Sequence, residues 1–256
     1  MTLSTPAGTE RAAAEGLWAV GSVTGADHRR ALRDGQDGAA LLSADGIAVA
    51  VVTDGCGSGA HSEVGARLGA RWVAQLALDA FAASDGPARV HAIATDVDDR
   101  LARRLGFVAR SLSPRGAIDP RVVHDHLLFT YLALVVTSAA VIVFGVGDGV
   151  VWVDGRATVL EAPGDAPDYA AYRLLGQPRP PRVHLAVPRA DVRAVAVGTD
   201  GLSPLAAAPA LDALVRDPAF ARNPSLLRKR LVVLADAGTL RDDATLAVFR
   251  GVEIAS

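Results

Sequence analysis

The chain has 256 residues and half of them are hydrophobic, so it can bury a sizeable core and is not disordered throughout. Its 26 basic and 28 acidic side chains give a formal net charge of −2, so the protein as a whole does not attract nucleic acid or an acidic membrane electrostatically. The one lysine, Lys229, has no glycine near it, which excludes an ATP site on a glycine-rich loop ending in Gly-Lys-Ser/Thr. The single cysteine, Cys56, excludes an internal disulfide framework and a cysteine-based zinc site.

Taken in chain order, the hydrophobic pattern predicts runs of strands separated by pairs of helices. Strands are predicted at 17–24, within 38–53 as two strands joined by a turn at Asp45-Gly46, and at 150–153, 157–161, 182–187, 192–199 and 244–249. Helices are predicted at 62–83, 88–111, 209–216 and 224–235, and the segment 163–181, rich in proline and glycine, is predicted to be a surface flap. Strands in runs indicate antiparallel sheet with helices outside it, rather than alternating βαβ units.

An uncharged apolar run covers 127–147 and is long enough to span a bilayer as a helix. Its many Val, Ile, Thr, Phe and Tyr residues favour strands instead, and Thr137-Ser138 near its middle can turn a hairpin. The flanks also lack the Lys or Arg anchors that orient a spanning helix. We therefore predict two buried antiparallel strands. Because the first 16 residues contain no apolar run, a secretory signal is not expected, and the predicted location is the cytoplasm with no membrane or nucleic-acid partner.

Asp-Gly pairs recur along the chain, and most such pairs are hairpin turns. Asp45-Gly46 and Asp154-Gly155 lie between strands of similar length and are predicted to be turns. Other acidic residues lie where a buried strand ends or begins, without a hairpin: Asp37, Asp54, Asp200 and Asp242. Each of these taken singly is more often a turn or a cap. Together they would repel one another if left unpaired, and Arg241 is the only basic residue beside the three sites at 54, 200 and 242, so a hard divalent cation such as Mg²⁺ or Mn²⁺ fits better than Zn²⁺.

The ordered set of motifs resembles the metal-dependent type 2C (PPM-type) protein serine/threonine phosphatases. The matching pieces are Gln36-Asp37, Asp54-Gly55-Cys56-Gly57-Ser58-Gly59, Gly147-Asp148-Gly149, Thr199-Asp200-Gly201-Leu202 and Asp242-Asp243-Ala244-Thr245-Leu246. Their order and separations are similar to the family from about Ala19 to Phe249. The chain is most similar to a bacterial branch with Gly-x-x-His, here Gly25 to His28, ahead of Gln-Asp.

The resemblance implies an α+β fold, a four-layer α-β-β-α sandwich whose central antiparallel β-sandwich is flanked by helix pairs. It also implies one phosphatase-like domain at 17–251, with a flexible N-terminal segment at 1–16 and a tail at 252–256. Within the site, it implies that Asp54 bridges two metal ions and that Gly55 offers its carbonyl to one of them. Asp200 and Asp242 complete the second ion's site, and Asp54, Asp200 and Asp242 are the residues on which catalysis is expected to depend.

The resemblance assigns further residues around this centre. Asp37 is expected to bind metal-held waters, with Gln36 as a second candidate where many relatives have glutamate, and Asp148 is expected to hold a third ion or to steady the pair through water. The implied reaction is hydrolysis of phosphoserine and phosphothreonine on proteins, the substrates of a Ser/Thr kinase among them. A hydroxide activated by two Mg²⁺ or Mn²⁺ ions attacks phosphorus in line.

Two positions depart from the family pattern. Relatives that use a histidine as general acid carry it where this chain has Cys56, so His61 or a metal-bound water is the candidate acid, and His61 is otherwise an exposed residue at a helix start. The phosphate-binding arginine is replaced by Leu32, which leaves three candidates: Arg33, which we favour, Arg30 and His28.

The sequence disfavours two other functions and leaves one alternative open. Cys56 is not expected to be a phosphatase nucleophile, because the arginine required six positions later is Ser62. A nucleotide site on the loop 55–59 is disfavoured because Asp54 would face the phosphates with the wrong sign. The remaining alternative is a non-catalytic module of the same fold that binds and regulates a signalling partner.

Overall fold

Ten strands form two antiparallel sheets in the computed structural model, within the residues that it describes: 16–83, 87–162, 164, 166–206 and 209–251. The predicted N-terminal segment, apart from Gly16, and the predicted tail at 252–256 lie outside these residues. In chain order the strands are β1 (Gly16–Val23), β2 (Gly38–Ala44), β3 (Ile47–Gly55), β4 (Phe129–Val136), β5 (Ala140–Val146), β6 (Gly149–Val153), β7 (Arg156–Leu160), β8 (Arg182–Pro188), β9 (Ala194–Gly198) and β10 (Ala244–Gly251). The described helices are α1 (Ala26–Arg30), α2 (Ser62–Ala82), α3 (Val90–Leu112), α4 (Pro120–Leu127), α5 (Ser203–Ala206), α6 (Pro209–Val215) and α7 (Leu226–Asp236).

The two sheets pack face to face and carry helices on their outer faces. One sheet has the order β1-β10-β9-β6-β7 and the other β2-β3-β4-β5-β8. Apolar side chains such as Leu134, Val197 and Phe249 fill the space between the sheets. Long helices α2 and α3 cover the sheet that contains β3 and β4, while α5, α6 and α7 cover the other sheet. The predicted four-layer α-β-β-α sandwich is confirmed.

The apolar run at 127–147 forms β4 and β5, as predicted, and both strands are buried along their whole length. They pair antiparallel, with Val136 opposite Val141. The Thr137 hydroxyl closes the turn, because it accepts hydrogen bonds from the amides of Ala139 (3.2 Å) and Ala140 (3.0 Å). A strand covered on both faces needs no polar alternation, which explains the uninterrupted apolar sequence. Among the described residues, none of the helices has both the length and the apolar character that crossing a bilayer requires.

The two predicted hairpin turns are confirmed. Asp45 (φ 51°) turns β2 into β3, and Asp154 (φ 47°) turns β6 into β7. A positive φ is tolerated by aspartate better than by most residues, and it gives the primed turn that matches strand twist.

Three short elements were not predicted. Helix α4 begins at Pro120, and Asp119 caps it by accepting a hydrogen bond from the Arg121 amide at 2.9 Å. Pro120 therefore occupies the first position of a helix, where proline is well tolerated. Helix α1 has only five residues and no hydrophobic period. The segment 163–181 contains a 3₁₀ helix, Ala170–Leu175, whose first two alanines are buried against the α2–α3 side of the core, so this part is docked and the prediction of a surface flap is wrong there.

Candidate active site

A cavity of about 650 Å³ lies at the end of the sandwich where strands β3 and β9 end and β6 and β10 begin. Five carboxylates line it: four aspartates at the ends of these strands, Asp54, Asp148, Asp200 and Asp242, and Glu161 after β7. Because antiparallel neighbours place the end of one strand beside the start of the next, four distant segments meet at one edge of the two sheets. The cavity wall also includes His28, Gln36 and Gly55.

The loop that carries His28 is fastened to the segment before β10. The amides of Ala26 and Asp27 donate to the carbonyls of Leu240 (3.2 Å) and Arg241 (2.9 Å). Gly25 lies so close to this segment that a Cβ there would be 2.2 Å from the carbonyl carbon of Asp242. Only glycine allows the two backbone segments to approach so closely. This approach places His28 beside Asp242, and both residues line the cavity.

The cavity is strongly acidic, and no arginine or lysine is among the described residues that line it. Burial, followed by the negative charges of Asp37, Asp200, Asp242 and Asp148, raises the pKa of Asp54 well above its ordinary value. Burial and the charge of Asp200 likewise raise the pKa of Asp148 to about 6. Since none of the described arginines or lysines lines the cavity, the ionised forms of these carboxylates are unfavourable without a cation from solution.

Asp37 lies behind Asp54 and is almost fully buried. Its Oδ2 accepts hydrogen bonds from the hydroxyls of Thr199 (2.9 Å) and Thr245 (2.7 Å), whereas its Oδ1 is buried without a partner among the described residues. Burial is the main reason that the pKa of Asp37 is raised to about 8. An unpartnered carboxylate oxygen beside four further carboxylates fits a site that holds divalent cations and their waters, because hard cations take oxygen ligands of this kind.

His28, Asp242 and Asp243 form a second cluster whose potential ligand atoms lie within 4.8 Å of one another. The oxygens of Asp243 are already engaged, because they accept from the amides of Gly25 (2.7 Å) and Gln36 (2.6 Å) and from His28 Nδ1 (2.9 Å). Asp243 therefore anchors the loop between β1 and β2, and the acidic cavity, rather than this cluster, has carboxylate oxygens free for a cation.

The remaining candidates from the sequence separate into those near the cavity and those outside it. Gln36 is buried, and its amide donates to Ser62 Oγ (2.7 Å) and to two carbonyls of the loop after β3, so it braces that loop. Arg30 is exposed and pairs with Asp27 (2.8 Å), and Arg33 is exposed too; neither is among the residues lining the cavity. His61 is also outside it, with a side chain that is 62% exposed and that faces Glu63 at 3.6 Å.

The sequence interpretation missed Tyr169, which lines the cavity from the segment 163–181. Burial, followed by its hydrogen bond to Cys56, raises the pKa of Tyr169. Burial alone raises the pKa of the Cys56 thiol, but hydrogen bonds with Ser58 and Tyr169 outweigh burial and lower that pKa. A single tyrosine in a proline-rich stretch gives no periodic signal, so only the fold reveals that it reaches the site.

Comparison with known proteins agrees with this architecture. The family model described as Protein phosphatase 2C matches residues 24–244. A search of curated proteins gives no match.

Among solved structures, the chain is similar to a bacterial serine phosphatase, at 13% identity and a TM-score of 0.65, over 93% of this chain and 99% of that one. It is similar to the serine/threonine phosphatase Stp1 from Staphylococcus aureus, at 12% identity and a TM-score of 0.60, over 98% of both chains. It is also similar to the catalytic domain of the serine threonine protein phosphatase PstP in complex with 2 manganese ions, at 15% identity and a TM-score of 0.54, over 91% of this chain and 96% of that one. These structures share the fold, and the family model covers most of the sequence. The chain belongs to the protein phosphatase 2C family.

Proposed function

We propose that this protein hydrolyses phosphoserine and phosphothreonine monoesters on other proteins, with two Mg²⁺ or Mn²⁺ ions as cofactors. The observation that carries the proposal is the cavity in which four aspartates at strand ends meet, together with Glu161, with no arginine or lysine on its described walls. Membership of the protein phosphatase 2C family supports a phosphatase activity, and the manganese complex of PstP supports a divalent-metal cofactor.

Each carboxylate has a proposed place in the metal centre. Asp54 would lie between the two ions, Gly55 would offer its carbonyl, and Asp200 and Asp242 would complete the second ion's ligands. Asp148 would hold a further ion or steady the pair through water. Divalent cations bound there would neutralise the phosphate and make a water molecule acidic enough to attack phosphorus at neutral pH.

The residues behind this centre are proposed to order water. Asp37 Oδ1 is a buried acceptor without a partner among the described residues, so it can accept a hydrogen bond from a water. Thr199 and Thr245 hold the other oxygen of Asp37 and thereby fix the direction in which Oδ1 points. Gln36 has its amide protons committed to the loop after β3, which leaves its carbonyl oxygen for a water.

His28 is the residue proposed to hold the substrate phosphate in place of the family's arginine. Its Nδ1 is bonded to Asp243 at 2.9 Å, and its Nε2 has no partner among the described residues. The contact with Asp243 fixes the orientation of the ring, and Nε2 is the ring nitrogen left for a phosphate oxygen. Arg33, the residue favoured from the sequence, stays a weaker candidate because it lies outside the cavity.

Hydrolysis of a phosphothreonine peptide tests the proposal, with Mn²⁺, with Mg²⁺ and with a chelator. The expected result is turnover with either metal and loss of turnover with the chelator. Asp54→Asn should abolish turnover, whereas the matched change Asp45→Asn, in an exposed hairpin turn, should leave it unchanged.

Two outcomes would contradict different parts of the proposal, the catalytic activity and the metal centre. Metal binding without turnover on any phosphopeptide would support the non-catalytic module instead, a protein that keeps the site but acts by binding a partner. Absence of metal binding by calorimetry would overturn the metal centre itself.

A further inference from the structure

A second cavity, of about 540 Å³, is lined by Asp37 and shares no lining residue with the acidic one. The ends of β1 and β2 form its floor, and helices α1, α2 and α7 contribute its charged side chains. We call it the arginine recess and define it by Arg29, Arg67 and Arg228, together with Ser22, Thr24 and Gly35. The three arginines do not line the acidic cavity, so this site is separate from the one proposed above.

The charge in the recess is only partly neutralised by the protein. Arg29 pairs with the exposed Asp236 at 2.5 Å. Arg67 is held by a hydrogen bond from Nη2 to the Gly35 carbonyl at 3.0 Å, which fixes the guanidinium without cancelling its charge. Arg228 has no acidic partner or hydrogen bond among the described residues. Two guanidinium groups on different helices therefore face one recess with donors to spare.

The carboxylate in the wall of the recess, Asp37, does not neutralise the charge of the arginines. Asp37 is one carboxylate against three guanidinium groups; its Oδ2 is engaged by two threonine hydroxyls, and the side chain is almost fully buried, with Oδ1 unpartnered among the described residues. The single proton of the Thr245 hydroxyl goes to Asp37, so the 2.9 Å contact between Ser22 Oγ and Thr245 Oγ1 is a hydrogen bond that Ser22 donates. The recess thus offers mostly donors and positive charge, in a chain whose net charge is −2.

Such a set of donors suits a ligand that only accepts. Guanidinium groups recognise phosphate through paired N–H donors, and Arg is favoured over Lys wherever that geometry is needed. A cavity of this size also lies in the range of small-molecule sites, so it has room for more than the phosphate group itself. We propose that the arginine recess binds a phosphate monoester outside the catalytic cavity.

Phosphate binding by the full-length chain in the presence of a chelator tests this proposal, because without metal the acidic cavity repels anions. Inorganic phosphate is titrated by calorimetry at constant ionic strength, with chloride as the replacement anion. We expect saturable binding that weakens at least tenfold in Arg67→Gln/Arg228→Gln. The control Arg156→Gln/Arg193→Gln removes the same charge from two exposed positions elsewhere and should bind within twofold of wild type.

Two further variants separate loss of phosphate binding from loss of folding and from the catalytic site. Since the Arg228 side chain makes no hydrogen bond within the described part of the chain, Arg228→Gln alone should melt like wild type and still weaken phosphate binding at least threefold, even if the double variant is unstable. Asp54→Asn should keep the wild-type affinity, which separates this site from the catalytic one. Absence of saturable binding, or equal affinity in wild type and Arg67→Gln/Arg228→Gln, would overturn the proposal.

The source of the phosphate is decided by comparing free phosphoserine with a phosphoserine peptide under the same conditions. Tighter binding of the peptide would place a phosphoprotein in the recess, and equal affinity would place a small phosphorylated molecule there. Loss of both in Arg67→Gln/Arg228→Gln is expected in either case.

Discussion

Replacing Asp243 with alanine is expected to destabilise the fold by about 4 kcal/mol, because it leaves two buried amides without an acceptor at about 1–3 kcal/mol each. Asp243 is 3% exposed and accepts from Gly25 N at 2.7 Å, Gln36 N at 2.6 Å and His28 Nδ1 at 2.9 Å. At about 2–4 °C for each kcal/mol in a domain of this size, the melting temperature should fall by about 8–16 °C. Thermal unfolding in chelator measures this without a contribution from bound metal.

The control for this change is Asp236→Ala, which removes an exposed carboxylate with a single ion pair to Arg29. It should cost no more than about 1 kcal/mol. A melting temperature for Asp243→Ala within 2 °C of wild type, on the order of the control's own effect, would refute the anchoring role. Metal titrations separate anchor from ligand: Asp243→Asn should keep most of its Mn²⁺ affinity, whereas Asp242→Asn should lose at least about tenfold, because even the hydrogen-bond partners of metal ligands contribute about 10–100-fold to metal affinity.

Three further predictions follow from the charges of the site and the core. Asp54→Asn should abolish turnover yet raise metal-free stability by roughly 1–2 kcal/mol, because it removes a charge that its neighbours repel; a metal-free variant less stable than wild type in urea would contradict this. His28→Ala should raise KM for a phosphopeptide about tenfold, the loss of one charged hydrogen bond, while Arg33→Ala should stay within about twofold in the same steady-state assay. Burial raises the pKa of Asp98 to about 6, so the folded chain holds a proton that the unfolded chain has released, and stability falls as pH rises from about 4 to about 6. Relative to Asp98→Asn, wild type should lose up to about 3 kcal/mol across that window, and a pH-independent difference in urea unfolding would count against it.

Much of the sheet structure could be predicted from the sequence because its signals are local. The hairpin at Asp45-Gly46 needs only a turn pair between two strand patterns, and the structure has it there. The strands β4 and β5 could be predicted because β-branched residues favour strands over a membrane-spanning helix, and because Thr137-Ser138 near the middle of the run can turn a hairpin. The helix bounds are correct to within two residues for α2 and α3, because both helices carry long amphipathic patterns.

The assembly of the acidic cavity could be predicted in outline but not in detail. Carboxylates at strand ends meet because antiparallel strands share an edge, so Asp54, Asp148, Asp200 and Asp242 converge as expected. The residues alone do not separate Asp242 from Asp243, two adjacent aspartates ahead of β10, and the choice of Asp242 depends on the resemblance to the family pattern. What distinguishes them is the loop around Gly25, some 218 positions away in the chain, whose amide reaches Asp243 and not Asp242.

Other features depend on tertiary contacts that leave no sequence signal. Asp98 is a helix residue in a charged stretch and would be expected at the surface, yet it is buried and bonded to Arg173 at 3.0 Å. That ion pair docks the segment 163–181 against α3, and docking brings Tyr169 to the cavity. A proline-rich composition predicts a loop correctly, but it carries no information about where the loop packs.

The most direct test of the central claim is hydrolysis of a phosphothreonine peptide by wild type and Asp200→Asn, measured with Mn²⁺ and again after chelation. We predict turnover by wild type only when metal is present, and none by Asp200→Asn although it remains folded. Equal turnover by the two proteins, or turnover by wild type that persists in chelator, would contradict a metal-dependent phosphatase built on these carboxylates.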